Sequence, residues 1–323
     1  MVFETVYVGG GTPSLFSPDF FREWFAFLDL HLDLKLKEAT IEVNPEGVSL
    51  GFFKKLRPMF NRVSIGAQSL SEKGLQVLGR RHKVCDILRA LEGALEAGFQ
   101  NVSLDFIFAW PGQGLKDWAR ELEAILALPV THLSFYELTI EPGTPFYELQ
   151  QKGLLEKPPE EEIEEMFLLL WERTRARGFE HYEISNYSRP GHACRHNLLY
   201  WKVEPFIGLG PAAASYLRGT RKKNVEGLSA YMQALREERL PLVEEEKLDK
   251  EAHFREAVIL GLRLIEGVER KELQDRFGFD LVAYYGARLE RLVHQGLVFW
   301  EGERLKLTPK GLLLANVVAR ELV

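Results

Sequence analysis

The sequence predicts an α/β protein built on a parallel sheet, followed by a smaller helical domain. Apolar β-type runs alternate with amphipathic helical stretches from Glu4 to about Tyr187, a pattern typical of repeated βαβ units. The alternation stops after Glu251, where helical patterns dominate. The length of 323 residues suits one large domain and a smaller one. The pattern alone leaves a closed barrel, a partial barrel and a doubly wound sheet open.

Composition narrows the function classes. The chain is 46% hydrophobic and 27% charged, as expected of a globular protein with a sizeable core. Its formal net charge of -6 argues against nucleic-acid binding through phosphate contacts. No apolar run approaches the roughly 18 residues that a membrane span needs. The two cysteines, Cys85 and Cys194, fit a reducing cytoplasm and form no CxxC pair, so they predict no metal site.

Each predicted strand precedes a loop and a helix. The strand candidates, in order, are Thr5–Val8, Ala39–Val43, Arg62–Gly66, Asn101–Phe108, His132–Leu138 and His181–Ser185. The helix candidates are Pro18–Leu30, Ser49–Leu56, Ser71–Leu78, Val84–Ala97, Asp117–Leu126 and Glu160–Arg177. Ser17 is expected to cap the first helix, and Gly98 and Gly178 to end two of the others.

The C-terminal region predicts a winged-helix-like arrangement. Helical patterns over Ala252–Leu264, Arg270–Phe277 and Leu281–Gln295 precede a tight hairpin within 298–307. Winged helices can bind DNA, but residues 251–323 carry 11 basic and 11 acidic side chains, which favours a packing or lid role. We therefore expect a partial barrel over residues 1–217, a linker over 218–250 and a C-terminal domain over 251–323.

Polar residues cluster where the predicted strands end, which is where a parallel α/β fold binds its ligand. They are Gly9–Thr12 after the first strand, Glu42 and Asn44 at the second, Gln68 after the third, Asp105 in the fourth, and Tyr136, Glu137 and Thr139 at the fifth. A strand glutamate is commonly just the outward residue of an alternating pattern. Asp105 is different, because a carboxylate inside an apolar run is costly unless it is paired or binds something.

These groups together suit a zwitterionic ligand that carries a sugar. Glycine carbonyls can accept hydrogen bonds from an ammonium group, and a carboxylate can accept both hydroxyls of a ribose. Arg80 and Arg81 follow the Ser71 helix, near Gln68, and either guanidinium can bind an α-carboxylate as a fork.

Seven ordered segments carry a family resemblance: GGGTPS, IEVNP, SIGAQS with LGRRH, SLDFIFAWPGQ, LTIEPGTPF, EISNYSRPGHACRHNLLYW and FIGLGPAA. The chain resembles the radical S-adenosylmethionine proteins of the oxygen-independent coproporphyrinogen III oxidase family, and most of all their haem-chaperone branch, HemW. The resemblance covers nearly the whole chain. It implies a partial, TIM-like (β/α) barrel with a C-terminal helical, winged-helix-like domain. It also implies an S-adenosylmethionine site formed by Gly10, Gly11, Thr12, Glu42, Gln68, Arg80 and Asp105.

The segment His196-Asn197-x-x-Tyr200-Trp201 resembles the signature that separates the haem-chaperone branch from the oxidase. The resemblance implies that His196, with His192 and Cys194 nearby, contacts haem. The alternative is a loop whose histidines are only hydrogen-bonded or solvated.

Members of this family carry a CxxxCxxC loop upstream of the GGGTP segment, and its thiolates bind a [4Fe–4S] cluster. The given sequence has no such motif. We expect that the chain is truncated before it, the alternative being a shortened protein that has lost the cluster. Without a cluster, we expect the chain as given not to cleave S-adenosylmethionine reductively.

Three functions remain open at this stage. The first is a haem-trafficking protein that passes haem to apoproteins, and the second is an enzyme that oxidatively decarboxylates coproporphyrinogen III. The third is a nucleotide- or DNA-binding regulator on a relic barrel, which the neutral C-terminal region disfavours. The sequence specifies neither the accepting apoprotein nor the oligomeric state.

Overall fold

A computed structural model describes residues 2–323 of the chain. It divides into two compact units, of which the first ends at His196 and the second comprises Asn197–Val323. We describe each unit by itself.

The first unit is built on a seven-stranded sheet with the order β1-β2-β3-β4-β5-β7-β6. The strands are β1 (Val2–Val8), β2 (Asp33–Val43), β3 (Arg62–Gln68), β4 (Asn101–Phe108), β5 (His132–Glu137), β6 (Glu180–Glu183) and β7 (Asn186–Ser188). Neighbours from β1 to β5 pair in parallel, and β1 forms one edge. The predicted parallel α/β fold is confirmed.

Helices connect the parallel strands β1 to β5, as the sequence predicts. They are α1 (Pro18–His31), α2 (Leu50–Leu56), α3 (Glu72–Val77), α4 (Val84–Glu96) and α5 (Leu115–Leu126). Helices α6 (Pro145–Gln151) and α7 (Glu160–Ala176) lie between β5 and β6 in the chain, and α8 (Arg195–Trp201) follows β7 and begins at the end of this unit. The side chains of Ser17, Ser49 and Ser71 each accept a hydrogen bond from the backbone N–H three residues on. A serine at this position satisfies a donor that the first turn leaves unpaired, which explains where these three helices begin.

The two faces of the sheet differ sharply, because successive side chains in a strand point to opposite sides. The apolar face consists of Val6, Val8, Ala39, Ile41, Val43, Val63, Ile65, Ala67, Val102, Leu104, Phe106, Leu133 and Phe135. The polar face consists of Thr5, Tyr7, Glu38, Thr40, Glu42, Arg62, Ser64, Ser103, Asp105, His132 and Ser134. The apolar face forms the core, where the Trp118 ring of α5 packs edge-on against Phe135.

The last predicted strand of this unit, His181–Ser185, differs in the structure. Strands β6 and β7 form a short antiparallel hairpin in its place, and β7 pairs antiparallel with β5. The turn is held by the buried Glu183 side chain, which accepts hydrogen bonds from the Ser185 N–H at 3.3 Å and from the Asn186 amide. This side-chain anchor reverses the chain, so the βαβ alternation ends at β5.

The second unit begins with a small antiparallel sheet. Strands β8 (Ala214–Leu217), β9 (Thr220–Asn224) and β10 (Leu242–Lys247) have the order β10-β9-β8, and α9 (Leu228–Arg236) lies between β9 and β10 in the chain. Residues 218–250, which the sequence analysis treats as a linker, thus contain regular structure. The basic run of β9 lies opposite the acidic run of β10, so that Lys222 pairs with Glu245 and Arg221 with Glu246.

The remainder of this unit has the element order of a winged helix. Its elements are α10 (Lys250–Gly261), β11 (Val268–Glu269), α11 (Arg270–Phe277), α12 (Leu281–Tyr285), α13 (Ala287–His294), β12 (Val298–Glu301), β13 (Arg304–Leu307), α14 (Pro309–Leu313) and α15 (Ala315–Leu322). The predicted hairpin is β12–β13, with β11 as a third strand. The single helix expected over Leu281–Gln295 divides at Gly286, whose positive φ of 46° interrupts it.

Candidate functional site

A cavity of about 380 Å³ lies at the carboxyl ends of β1–β5 in the first unit. Six residues expected from the sequence line it: Gly11, Thr12, Glu42, Gln68, Arg80 and Asp105. The seventh, Gly10, adjoins it and donates its N–H to Glu42 Oε2 at 3.0 Å. Pro13, Asn44, Ser64, Gly66, Ile107 and Tyr136 complete much of the wall. The strand ends therefore converge on one hollow, as parallel pairing requires.

Three serine hydroxyls hold the carboxylate of Asp105. Ser64, Ser103 and Ser134 donate to Oδ1 at 3.2, 3.2 and 2.7 Å, and Ser64 also approaches Oδ2 at 2.9 Å. Burial raises the pKa of Asp105, although the hydrogen bonds from Ser134 and Ser64 and the charge of Arg62 oppose that rise. Since Oδ2 has only one partner, it retains the capacity to accept hydroxyl groups from a ligand in the cavity.

Glu42 connects the glycine turn to the sheet. Its Oε1 accepts from the Tyr7 hydroxyl at 2.8 Å, while Oε2 accepts from Gly10 N–H. A side chain at Gly9 would place a Cβ 2.7 Å from Tyr7 Cε1 and 2.8 Å from Glu42 Cδ. The first glycine of the triplet is thus required by this close approach, whereas Gly10 and Gly11 have positive φ values of 80° and 60°. Gly9 belongs to the turn expected from the sequence, whereas Tyr7 was not expected to take part in the site.

Gln68 and Arg80 close the far side of the cavity. Gln68 has a positive φ of 67°, an uncommon conformation for a non-glycine residue that costs about 1–3 kcal/mol and often marks a functional position. Partial burial lowers the pKa of Arg80, but its guanidinium stays cationic at neutral pH. Arg81, the alternative fork considered from the sequence, is exposed and does not line the cavity.

The His196 segment is held against the polar face by Glu38. The buried Glu38 carboxylate accepts hydrogen bonds from the backbone N–H groups of Arg195 and His196, both at 3.0 Å. It also accepts from the Cys194 thiol at 3.4 Å. A carboxylate at the start of α8 satisfies N–H groups that the helix cannot pair internally. Glu38 thereby determines where His196 lies.

Tyr7 lies between Glu42 and His196. Its ring stacks on the His196 ring, with centroids 5.3 Å apart, while its hydroxyl donates to Glu42. His196 Nδ1 lies 2.8 Å from the Thr5 hydroxyl oxygen, and burial lowers the pKa of the imidazole. The Tyr7 side chain therefore lies between Glu42 in the cavity wall and His196, the candidate haem contact.

The polar face also contains residues that sequence reasoning missed. Arg62 is buried, and its Nε has no hydrogen-bond partner among the described atoms. Glu38 is among the charges that raise its pKa. His132 connects the Ser103 hydroxyl to the Tyr182 hydroxyl, each at 2.8 Å. A polar residue at every second position of neighbouring strands is the signal that could have revealed this face.

The other residues near the signature are placed differently. Cys194 is fully buried, and its thiol donates to Glu38. His192 and Asn197 are half-buried. Tyr200 packs edge-on against Phe206 at 4.7 Å, and the Arg263 guanidinium covers the Trp201 ring at 4.4 Å.

Residues 2–323 bring no three His, Cys, Asp or Glu side chains together as a metal site. Cys85 and Cys194 are free, one exposed and one buried. The described residues therefore do not match the three-thiolate requirement of an iron–sulfur cluster.

Across the described part of the chain, every helix is too short or too polar to cross a membrane.

Comparison with known proteins identifies the family. Residues 2–125 match the model of the Radical SAM superfamily, and residues 248–314 match the HemN C-terminal domain. The heme chaperone HemW of Bacillus subtilis is 35% identical over 318 residues, covering 98% of this chain and 84% of that protein. The chain belongs to the HemW family. S-adenosylmethionine and a [4Fe–4S] cluster are the cofactors that the radical SAM superfamily implies.

Further relatives extend the family across bacteria and animals. The heme chaperone HemW of Lactococcus lactis is 34% identical, covering 98% of this chain and 83% of that protein. A zebrafish (Danio rerio) protein is named radical S-adenosyl methionine domain-containing protein 1, mitochondrial. It is 31% identical, covering 92% of this chain and 72% of that protein. The structure of Escherichia coli coproporphyrinogen III oxidase (HemN) superposes with a TM-score of 0.81 at 20% identity, covering 99% of this chain and 78% of that one. This match shows the fold, a curled half-barrel with a helical C-terminal region.

Proposed function

We propose that this chain is a haem chaperone that binds S-adenosylmethionine in the cavity of its half-barrel and binds haem through the His196–Trp201 segment. The observation that carries the first half is the convergence of Glu42, Arg80 and Asp105 on one cavity. The proposed haem binding rests on membership of the HemW family and on the position of His196, whose backbone N–H is bound by Glu38.

The cavity offers a partner for each charged or hydroxylated part of S-adenosylmethionine. Asp105 Oδ2 suits the ribose hydroxyls, Arg80 suits the carboxylate, and Glu42 with the Gly10–Thr12 turn suits the ammonium group. In this superfamily the ligand supplies radical chemistry when a cluster reduces it. The residues of this chain bind and orient the ligand.

Equilibrium dialysis with radiolabelled S-adenosylmethionine tests the cavity. We expect Asp105→Asn to weaken binding by roughly 10- to 100-fold, because hydrogen bonds to a charged acceptor contribute about 1.5–3 kcal/mol. Asp117→Asn is the matched control, since Asp117 is an ion-paired, largely exposed carboxylate on α5. Equal affinity of Asp105→Asn and the unaltered chain would refute the assignment.

Haem titration tests the trafficking role. We expect the unaltered chain to shift the Soret band of haem on binding, and His196→Ala to lose or displace that shift. His31→Ala is the control, since His31 is an exposed histidine whose ring bonds only within its own helix. A Soret shift that is identical in His196→Ala and the unaltered chain would exclude His196 as the haem contact.

The oxidase function has less support. The structural match to coproporphyrinogen III oxidase has only 20% sequence identity, so it shows the fold alone. Anaerobic assay with coproporphyrinogen III separates the two functions, and we expect no decarboxylation.

A further inference from the structure

Two strained backbone positions adjoin the cavity of the first unit. Gln68 ends β3 and lines the cavity with a φ of 67°, and Ala109 directly follows β4 with a φ of 56°. Across Gln68, the Ser69 N–H donates to the Ala67 carbonyl oxygen at 2.9 Å, a three-residue turn whose positive-φ form is rare and strained. Such conformations persist only where the surrounding structure enforces them.

One pair of buried side chains, Glu121 of α5 and Gln113, holds both strained turns. Glu121 Oε1 accepts hydrogen bonds from the Ser69 hydroxyl and, at 2.7 Å, from the Leu70 N–H. Glu121 Oε2 accepts from the Gln113 amide at 3.1 Å. In turn, Gln113 Oε1 accepts from the Ala109 N–H at 2.7 Å. The pair therefore ties the loop after β3 to the loop after β4.

The hydrogen bonds around the pair determine its charge and its orientation. An ionised carboxylate only accepts, which matches the three donors that surround Glu121. Because the Gln113 oxygen faces the Ala109 N–H, its amide nitrogen faces Glu121. Burial raises the pKa of Glu121, and these hydrogen bonds oppose the rise. Burying a charge costs free energy that an apolar pair would avoid, so the backbone groups held by this pair explain its polarity.

The pair lies behind the cavity wall, and neither of its side chains lines the cavity. Its effect reaches the wall through Ser69, which follows Gln68 directly. A Cβ at Gly74 of α3 would lie 2.4 Å from Ser69 Oγ, so α3 packs directly on the loop that Glu121 holds. The chain continues from α3 to Arg80, which lines the cavity. A shift of Ser69 would therefore disturb the whole β3 side of the cavity.

We propose that Glu121 and Gln113 are positioning residues that hold Gln68, and with it the β3 side of the cavity, in the conformation that binds ligand. The proposal rests on the S-adenosylmethionine binding proposed above and adds two residues that do not touch the ligand. Only the fraction of chains with this wall in place is competent to bind, so loss of the pair lowers the apparent affinity by that fraction.

Exchanging the donor and the acceptor of the pair tests the proposal by equilibrium dialysis with S-adenosylmethionine. We expect Glu121→Gln to weaken binding about tenfold, because an amide donor then faces the Gln113 donor. Gln113→Glu should also weaken binding, since two carboxylates then face each other. The double variant Glu121→Gln with Gln113→Glu again places a donor opposite an acceptor. We expect its affinity to return to within about threefold of the unaltered chain.

Two variants of α5 serve as controls. Glu123→Gln makes the same chemical change at a carboxylate that pairs with Arg173 and Arg177 on the surface. Ile125→Val removes a methyl group from a fully buried side chain and lowers stability without altering the pair. Both variants should bind S-adenosylmethionine like the unaltered chain. A merely stabilising role of Glu121 predicts the same for Glu121→Gln at temperatures where the chain is fully folded.

Amide hydrogen exchange of the ligand-free chain gives a second readout. Segment 67–71 contains the N–H groups of Ser69, Leu70 and Ser71, which all donate within this network. We expect this segment to exchange roughly tenfold faster in Glu121→Gln and to regain its protection in the double variant. Glu123→Gln should leave its exchange unchanged. Equal exchange in Glu121→Gln and Glu123→Gln would show that the pair does not hold the loop.

The outcomes separate this proposal from the proposed function. If the unaltered chain does not bind S-adenosylmethionine, the proposed function fails, and hydrogen exchange alone decides whether the pair holds the loop. If it binds, and Glu121→Gln matches Glu123→Gln or the folded double variant stays as weak as Glu121→Gln, the positioning role alone is overturned. Circular dichroism and thermal unfolding check that each variant is folded.

A milder variant keeps the test decisive should Glu121→Gln not fold. Ser69→Ala removes one donor to Glu121 and keeps the carboxylate and its amide partner. We expect it to weaken S-adenosylmethionine binding a few-fold, because the loop after Gln68 is then less firmly held. Affinity equal to that of the unaltered chain would overturn the positioning role.

Discussion

The two faces of the parallel sheet differ although they alternate along the same strands. On the apolar face, Ile65, Leu104 and Phe106 are almost fully buried, as is usual for a parallel sheet. On the polar face, Glu38 and Arg62 are almost as deeply buried, although burying a charge costs free energy. One face therefore stabilises the fold, and the other carries the polar and ionisable side chains of the candidate site. Side chains for the two faces alternate along each strand.

A second contrast involves two buried carboxylates in the same unit. Glu121 accepts hydrogen bonds from Ser69, from the Leu70 N–H at 2.7 Å and from the Gln113 amide at 3.1 Å, so both of its oxygens are engaged. Asp105 has three serine contacts at Oδ1 and one at Oδ2, and the residue lines a cavity. Burial raises the pKa of both carboxyls, so the pKa alone does not separate a structural carboxylate from a ligand-binding one.

The largest effect on stability is expected on the apolar face. Phe106→Ala removes a ring with 1% exposure, and we expect the free energy of unfolding to fall by about 3–5 kcal/mol. Urea denaturation measures it, with Leu88→Ala on the exposed side of α4 as the control. A loss below about 1 kcal/mol would contradict the division of roles between the faces.

The next effect concerns the buried charges of the polar face. We expect Glu38→Gln to destabilise the chain by about 3 kcal/mol, because Arg62 loses its buried counter-charge and α8 loses a charged cap. The double variant Glu38→Gln with Arg62→Met should cost less than the sum of the two single variants. Additive losses in urea denaturation would show that the two charges do not interact.

The pH dependence of the free energy of unfolding tests whether the Asp105 carboxyl is buried. A carboxyl whose pKa is higher in the folded than in the unfolded chain binds protons more tightly when folded. Its contribution to stability therefore falls as the pH rises from its ordinary value of 3.8 through the raised folded value. We expect Asp105→Asn to gain stability relative to the unaltered chain across that interval, measured by urea denaturation at several pH values. A difference that is independent of pH would contradict the burial of this carboxylate.

The smallest effect is expected at Tyr7. Tyr7→Phe removes the hydroxyl that donates to Glu42 and keeps the ring that stacks on His196, so the loss of stability should be about 0.5–1.5 kcal/mol. The same variant should weaken S-adenosylmethionine binding a few-fold, because Glu42 is less well oriented. Tyr147→Phe on α6 is the control, and equal behaviour of the two variants would remove Tyr7 from the site.

Local patterns predicted much of the fold. The serine caps at Ser17, Ser49 and Ser71 begin their helices as expected, since capping depends on atoms only three residues apart. The β6–β7 hairpin escaped prediction because its turn depends on the buried carboxylate of Glu183. The sheet over 214–247 escaped it because charged runs such as RKK and EEE are typical of solvated loops until they lie opposite each other.

The sequence alone determined the α/β class, the family resemblance and the set of polar residues at the strand ends. These depend on residue type and on spacing along the chain, and both can be read directly from the sequence. Only the tertiary structure decided that three serines hold Asp105 in the cavity wall, that Arg80 rather than Arg81 lines the cavity, and that Glu38 holds the backbone of His196. The reason is physical: hydrogen-bond capacity and burial depend on which side chains from distant strands reach the same point, and that follows from packing and register.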